Sequence, residues 1–412
     1  MTTKNNIPAG CKDSAVGIIP QEWEVKRLGN IAKCFSGGTP KSESEEMYGG
    51  TIPFIRSGEI HSNKTALFLT DDGLRKSSAK MVDVGDLIFA LYGANSGDCA
   101  ISQINGAINQ AILCIRSSSV INPFLHPYLE LQKDRYIAKY LQGGQGNLSG
   151  EIVCSYTIPV PPMEEQRKIA EILGMWDEAI EKQSRLIEKL ELRKRAFMQR
   201  LLTGRTSLPG FTTPWQKVKL GEIGKFDKGV GVPKEKIVSE GCKAITYGEI
   251  YTKYDYVIKD FASYIDSDTA QTSKQISSGA IIFAGSGETL DDIGKCVAFI
   301  DNDKAYAGGD IIIFNPSVEV DSLVLSYILN SPVAIAQKRR YGQGHSVVHI
   351  YQKDLARIEF ELPSLPEQKA IAEVLTTADD EIATHRKKLD ALRLQKRGLM
   401  QQLLTGKTRV KI

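Results

Sequence analysis

Residues 166–204 read QRKIAEILGMWDEAIEKQSRLIEKLELRKRAFMQRLLTG, and residues 368–406 read QKAIAEVLTTADDEIATHRKKLDALRLQKRGLMQQLLTG. At an offset of 202 the two stretches are identical at 17 of 39 positions, and both close on M-Q-x-L-L-T-G. Each follows a block of similar size, so the chain consists of two similar halves in tandem. Internal repetition is read first because it decides the architecture.

Both stretches are helical by period. Positions seven apart give Ile169, Trp176, Gln183, Leu190 and Phe197 on one row and Leu173, Ile180, Ile187, Lys194 and Leu201 on the other. Together they form the seam of a heptad pattern. The second copy repeats it with Ile371, Ala378, His385, Leu392 and Leu399, and with Leu375, Ile382, Leu389, Lys396 and Leu403. A polar residue recurs at one level (Gln183, His385) and a lysine at another (Lys194, Lys396), which costs stability but sets register. Ser364 and Glu367 have capping-box spacing, and each helix ends in Thr-Gly. Neither stripe is buried by its own helix, so the two helices are expected to pack together. A helix of 39 residues is about 58 Å long, a spacer between the two blocks.

The 412 residues carry a net charge of +3, with room for two or three cores and too little charge to name a partner. No apolar run reaches membrane length and no leader-like segment opens the chain, so a cytoplasmic protein is expected. Seven scattered cysteines, none in C-x-x-C spacing, argue against a disulfide framework or a zinc site. The basic residues gather on the C-terminal halves of the helices: eight Lys/Arg against two Glu over 182–205, and eight against one Asp over 385–409. A solvated helix face accounts for such a run as readily as a partner does.

The block before the first helix gives short alternating apolar runs broken by glycine, the pattern of a β-rich domain. Ile52–Ile55 and Ala111–Ile115 read as strands, Gly85 as a turn into the buried run Leu87–Ala90, and Phe124–Leu141 as a helix followed by a glycine-rich loop. The second block answers it. Trp215 to Ile223 matches Trp23 to Ile31, Gly279–Ala284 matches Gly85–Ala90, and Leu323–Tyr341 corresponds to the Phe124 helix. The shared positions are apolar or glycine, whereas residues 37–60 and 229–250 share almost nothing. One scaffold carries two different surfaces.

The segments Pro20-Gln-Glu-Trp23-Glu-Val25, Ser36-Gly-Gly-Thr39-Pro40 and Ile158-Pro-Val-Pro161-Pro-Met-Glu-Glu165-Gln166, with the two helices ending Gln-x-Leu-Leu-Thr-Gly, resemble the DNA-specificity subunits of type I restriction–modification systems. The resemblance spans nearly the whole chain. It implies an α+β fold: two β-rich target-recognition domains in a pseudo-two-fold tandem repeat, joined by two long helices packed as an antiparallel coiled coil. The expected division is a first recognition domain over 1–161, a first helix over 162–205, a second domain over 206–363 and a second helix over 364–412. The implied function is non-catalytic reading of a bipartite, asymmetric site on double-stranded DNA, one half-site per domain. The implied partners are two modification subunits, which bring S-adenosylmethionine, and restriction subunits, which bring ATP and Mg; the chain itself is expected to need no cofactor. At ~3.4 Å per base pair the spacer separates the reading heads by at most about 17 base pairs.

Catalytic patterns are decoys. Asn122-Pro123-Phe124 lacks the second proline of an adenine-methyltransferase motif and reads as a helix start. The glycines of 143–150 lack the lysine of a P-loop, Gly285-Ser286-Gly287 lacks the flanks of a nucleophile elbow, and His345 with His349 has no third metal ligand nearby. For DNA contact the polar and basic loop residues are the candidates: Thr39, Lys41, Arg56, Ser57, Tyr92, Asn95, Ser96, Gln145 and Asn147 in the first block, and Lys228, Lys234, Lys236, Tyr247, Ser286, Thr289, Lys338, Arg339, Arg340, Gln343 and His345 in the second. The run Lys338-Arg339-Arg340-Tyr341 leads them, and for each the plain alternative is a solvated side chain. Across the seam, large Trp176 is expected to face its small twin Ala378, while Arg193, Lys194, Arg195, Lys396 and Arg397 face the modification subunits. Two rival readings are a protein-binding coiled-coil scaffold and a fragment of a single-chain restriction–methylation enzyme.

Overall fold

A computed structural model describes residues 7–41, 43–140, 147–203, 207–344 and 346–412. The chain forms two compact units, 1–184 with 387–412 (unit 1) and 185–386 (unit 2). Gln145 and His345, with most of the glycine-rich loop, lie outside the described residues.

In unit 1 the run Leu87–Ala90 forms a strand buried at every position. Its side chains alternate between two cores, as strand geometry requires. Leu87 and Phe89 enter a core with Trp23, Phe124 and Leu125, whereas Ile88 and Ala90 enter one with Ile55, Val82 and Ile108. The strand belongs to a four-stranded antiparallel sheet in the order Ala32–Ser36, Ile112–Ser117, Leu87–Ala90, Cys99–Ile101. A second four-stranded sheet covers one face, with Gly106–Ile108 parallel to Tyr48–Ile55. The helix Asn122–Tyr140 covers the other. Strands Glu24–Arg27 and Thr157–Val160 pair antiparallel, so the block closes beside the start of the first long helix.

Unit 2 repeats the plan. Ile281 and Phe283 share a core with Val324, Leu325 and Ile371; Ile282 and Ala284 share another with Ile245 and Ala307. The unit also departs from that plan. The second sheet has five strands, and the helix expected over 323–341 is broken into Ser322–Leu329 and Pro332–Tyr341. Pro332 has no N–H to continue a helix, and Ser331 caps the new start by accepting from Ala334 N–H.

The long helices run Met163–Leu201 and Leu365–Leu403. Within each unit a segment of one lies antiparallel to a segment of the other. In unit 1, Ile169 and Leu173 share a core with Met400 and Leu403, and Asp177 pairs with Lys396. In unit 2, Leu201 shares a core with Ile371 and Leu375, and Arg193 pairs with Glu381. Numbers fall along one helix as they rise along the other. The heptad residues Ile169, Leu173, Ile187, Leu190, Leu201, Ile371, Leu375, Ile382, Leu389 and Leu403 are buried, and Trp176, Ile180, Phe197, Leu392 and Leu399 are half-buried. The register that pairs Asp177 with Lys396 places Trp176 opposite residues near 397, so it does not face Ala378. Antiparallel twins meet only where the helices cross at equal depth, and 176 is far from there.

Each long helix is tied to its block by the same pair of side chains. Trp23 donates its indole N–H to Glu165 at 2.8 Å, and Trp215 donates to Glu367 at 3.1 Å. The next residue, a buried glutamine, accepts from one backbone N–H and donates to a carbonyl: Gln166 to Ile121 and Pro161, Gln368 to Asp321 and Pro363. Glu367 therefore closes no capping box. Arg409 adds a bidentate pair to Glu165 at 2.7 and 3.0 Å, whereas Oε1 of Glu367 has no hydrogen-bond partner among the described residues. Substituting Glu165→Gln removes a paired charge and should cost about 1–3 kcal/mol, with Glu367→Gln costing less. Thermal midpoints of the two variants measure the difference, and equal losses would contradict this account.

Candidate nucleic-acid interface

In unit 1 the loops that carry the candidate residues are fastened to one another. Leu91 N–H donates to Ala111 O at 2.8 Å, and Leu91 O accepts from Leu148 N–H at 2.9 Å. Asn95 donates to Ser57 O at 3.3 Å, and Thr39 donates to Gln110 at 2.6 Å. Gly37 sits so close to Ile108 O that a Cβ there would fall 1.7 Å from it, which is why glycine leads into Thr39. Thr39, Lys41 and Asn147 are exposed, and Ser57, Tyr92 and Asn95 half-buried. Arg56 is exposed but clasps Glu59 at 3.1 Å, and this pairing holds its guanidinium above its ordinary pKa. Ser96 is a correction: it is buried and donates to Leu91 O, so its hydroxyl is spent inside the loop.

Unit 2 reproduces the fastening with different side chains. Gly285 N–H donates to Asp310 O at 2.7 Å, and Gly285 O accepts from Ile350 N–H at 3.0 Å. Around that junction lies a groove of about 560 Å³ lined by Lys228, Ser286, Asp310, His349, Tyr351 and Lys353, among others. Ser286 is buried, with Oγ 2.9 Å from Nδ1 of His349, so it positions the imidazole and presents no free hydroxyl. Asp310 has a left-handed backbone, φ 59°, uncommon for a residue with a side chain. Asp310, His349, Tyr351 and Lys353 were not candidates from sequence. Asp310 comes from one segment and His349, Tyr351 and Lys353 from another, and no spacing connects either segment to Lys228. Lys234, Lys236, Tyr247, Thr289, Arg339, Arg340 and Gln343 are exposed; Thr289 is bonded to Asp292 at 2.9 Å and Arg339 paired with Asp291 at 2.8 Å.

The basic run behaves otherwise than expected. Lys338 is buried at 1% exposure and donates to Gly294 O at 2.7 Å. On the helix Pro332–Tyr341 it shares the buried face with Ala334, four residues earlier, while Arg339 and Arg340 point to solvent. Lys338 is therefore no DNA-contact candidate. Lys194 is likewise not on an outer face: at 8% exposure it pairs with Asp379 and lies 4.4 Å from the ring centre of Tyr256. Tyr327 donates to the same carboxylate; burial first, then Asp379, push its phenol above the ordinary value. Lys396 is half-buried against Asp177, and Arg193 is paired with Glu381, whereas Arg195 and Arg397 are exposed. Among the described residues no cluster of His, Cys, Asp or Glu could hold a metal ion, and no helix is long and apolar enough to cross a membrane.

Residues 20–192 and 212–394 each match the family described as type I restriction modification DNA specificity domain. The chain is 25% identical over 411 residues to the type I restriction enzyme MjaVIII specificity subunit of Methanocaldococcus jannaschii, covering 95% of this chain and 94% of that one. It is 27% identical over 433 residues to the putative type I restriction enzyme MjaX specificity subunit of the same organism, covering 97% of each. Among solved structures, the S subunit of a type I restriction–modification system from M. genitalium shares the fold with a TM-score of 0.58 at 15% identity, over 100% of both chains.

Burial holds the Lys338 ammonium below its ordinary pKa. The unfolded chain then binds more protons between the folded value and the ordinary lysine value, so this lysine's penalty is full at lower pH and fades as pH rises through that window. Lys338→Met removes the penalty. Its stability relative to the parent chain should fall as pH rises toward the ordinary lysine value of 10.5, read from denaturation midpoints; a pH-independent difference would contradict the burial of a charged lysine.

Proposed function

Because the chain belongs to the type I restriction–modification DNA specificity family, we propose that it reads a bipartite DNA site, one half-site per domain, and places modification and restriction subunits on it. The observation that carries this reading is the pair of matched frameworks with unmatched loops. The fastening Leu91–Ala111 recurs as Gly285–Asp310, while the side chains around it differ. The chain is a DNA-reading subunit and not the catalyst. S-adenosylmethionine enters with the modification subunits, and ATP and Mg with the restriction subunits. The reading domains are 1–161 and 206–363, and the first contacts its half-site through Thr39, Lys41, Asn95 and Asn147. In the second, Lys228, Lys234, Lys236, Tyr247, Arg340 and Gln343 are the exposed contacts. Phosphate contacts position such a domain, and base-edge contacts specify.

The repeat also supports two copies of one partner. Leu192 and Leu394 occupy the same position of the two long helices, and both are exposed, at 58% and 72%. The same exposed leucine beside exposed bases (Arg195, Arg397), once on each helix, suits two identical modification subunits. Glutamate at either position leaves the cores untouched. It should weaken binding of one modification subunit by about 2 kcal/mol or more. Native mass spectrometry of the assembled complex reads this as a shift from two copies to one; unchanged stoichiometry and affinity in the double variant would remove these leucines from the interface.

Co-expression with the modification partner, followed by sequencing of methylated adenines, tests the function itself. A single bipartite motif with a fixed gap is expected, and replacing 206–363 by the corresponding block of a relative should change one half only. An assembled complex that binds DNA without sequence dependence would favour the scaffold reading instead.

A further inference from the structure

Five positions of the backbone framework correspond between the two units. In unit 1 they are Ser36, Tyr92, Ala111, Asn147 and Glu151; in unit 2 they are Lys228, Ser286, Asp310, His349 and Lys353. The equivalence is set by backbone. Ser36 pairs with Leu113 as Lys228 pairs with Ile312. Leu91 bonds Ala111 and Leu148 as Gly285 bonds Asp310 and Ile350. Glu151 and Lys353 are each the second residue of a short helix, Gly150–Cys154 and Gln352–Leu355. The framework agrees at every one of these bonds, and all five side chains differ.

In unit 2 these side chains border the 560 Å³ groove. Lys228 and Lys353 are exposed, with no ion pair among the described residues. His349 is held twice. Its backbone exchanges hydrogen bonds with Gln343 at 2.9 and 2.8 Å, and its Nδ1 lies 2.9 Å from Ser286 Oγ. In the tautomer where Ser286 donates to Nδ1, Nε2 carries the proton and is a fixed donor. Asp310 keeps a left-handed backbone that costs roughly 1–2 kcal/mol, and its exposed carboxylate has no hydrogen bond among the described residues. Strained backbone at a groove is where function is looked for.

We propose that this groove reads a G·C base pair in the half-site of the second domain. Lys228 and His349 supply donors to guanine O6 and N7, and Asp310 accepts from the cytosine N4 amine, the pairings that major-groove geometry favours. Lys353 at the rim meets a phosphate. The corresponding place in unit 1 has neither a base nor an acid at the positions of Lys228, Asp310 and His349, so the two half-sites differ there. The inference rests on the DNA-reading function proposed above.

The test uses the full chain assembled with its modification partner, competing duplexes that differ at single base pairs, and sequencing of methylated adenines. The half-site of the second domain, identified by the block exchange, should contain a G·C pair. Asp310→Asn, an exchange that a left-handed backbone tolerates, and Lys228→Gln should each lower discrimination at that pair at least tenfold, with the first half-site unchanged and the melting midpoint preserved. A second half-site without a G·C pair overturns the inference. So do variants that keep parental discrimination, and variants that lose affinity equally for every duplex, the signature of phosphate contact alone. Absence of any bipartite motif in the parent complex would instead remove the DNA-reading function from which the inference starts.

Discussion

The structure depends on a buried carboxylate held by a tryptophan. Glu165 and Trp23 are both fully buried and bonded at 2.8 Å, and a carboxylate in such a place is stable only when donors surround it. The donors come from Trp23, just before the strand Glu24–Arg27, and, through Arg409, from the C-terminal segment. Gln166 follows immediately and clasps the turn before the helix Asn122–Tyr140. These two adjacent side chains fix the first turn of the long helix to the β framework of its block. Unit 2 uses the same device less completely: Trp215 is half-buried, and one oxygen of Glu367 has no hydrogen-bond partner among the described residues.

From that anchor the division of labour inside each unit follows. The central strand sends alternate side chains to two cores. One core contains the anchor and the long helices, and its members match between halves: Phe89 with Phe283, Leu125 with Leu325, Leu173 with Leu375. The other core supports the second sheet, which has four strands in one unit and five in the other. That second sheet, on the side of the central sheet away from the long helices, is one place where the units diverge. A change there leaves the anchoring core untouched.

How much of this was legible in the sequence follows from range and period. The long helices and their seam were legible because heptad spacing repeats over many turns and appears twice, whereas their antiparallel pairing was implied by the family resemblance alone. The anchor was only half legible. Glu165 and Gln166 stood inside a recognised motif, but Trp23 lies 142 residues earlier, and no local pattern joins them. Lys338 was misread because two exposed arginines follow it. Helical spacing from Ala334 was the available signal, since a residue four positions on shares its face. The groove was illegible for a stronger reason. Lys228, Ser286, Asp310 and His349 belong to four segments joined only by sheet register, and Asp310 is singled out by a backbone angle.

That scattering is a consequence of how the scaffold can vary. A substitution in the anchoring core leaves a cavity or a buried unpaired group and costs several kcal/mol. A substitution at an exposed strand end or loop costs within about 0.5 kcal/mol. An exposed position whose framework bond is made by the main chain, such as Asp310 through its carbonyl, accepts new side chains without losing that bond. Chemistry that must differ between halves therefore settles at strand ends fastened by main-chain contacts. Because the central sheet orders its strands out of sequence, the residues gathered there are drawn from distant parts of the chain.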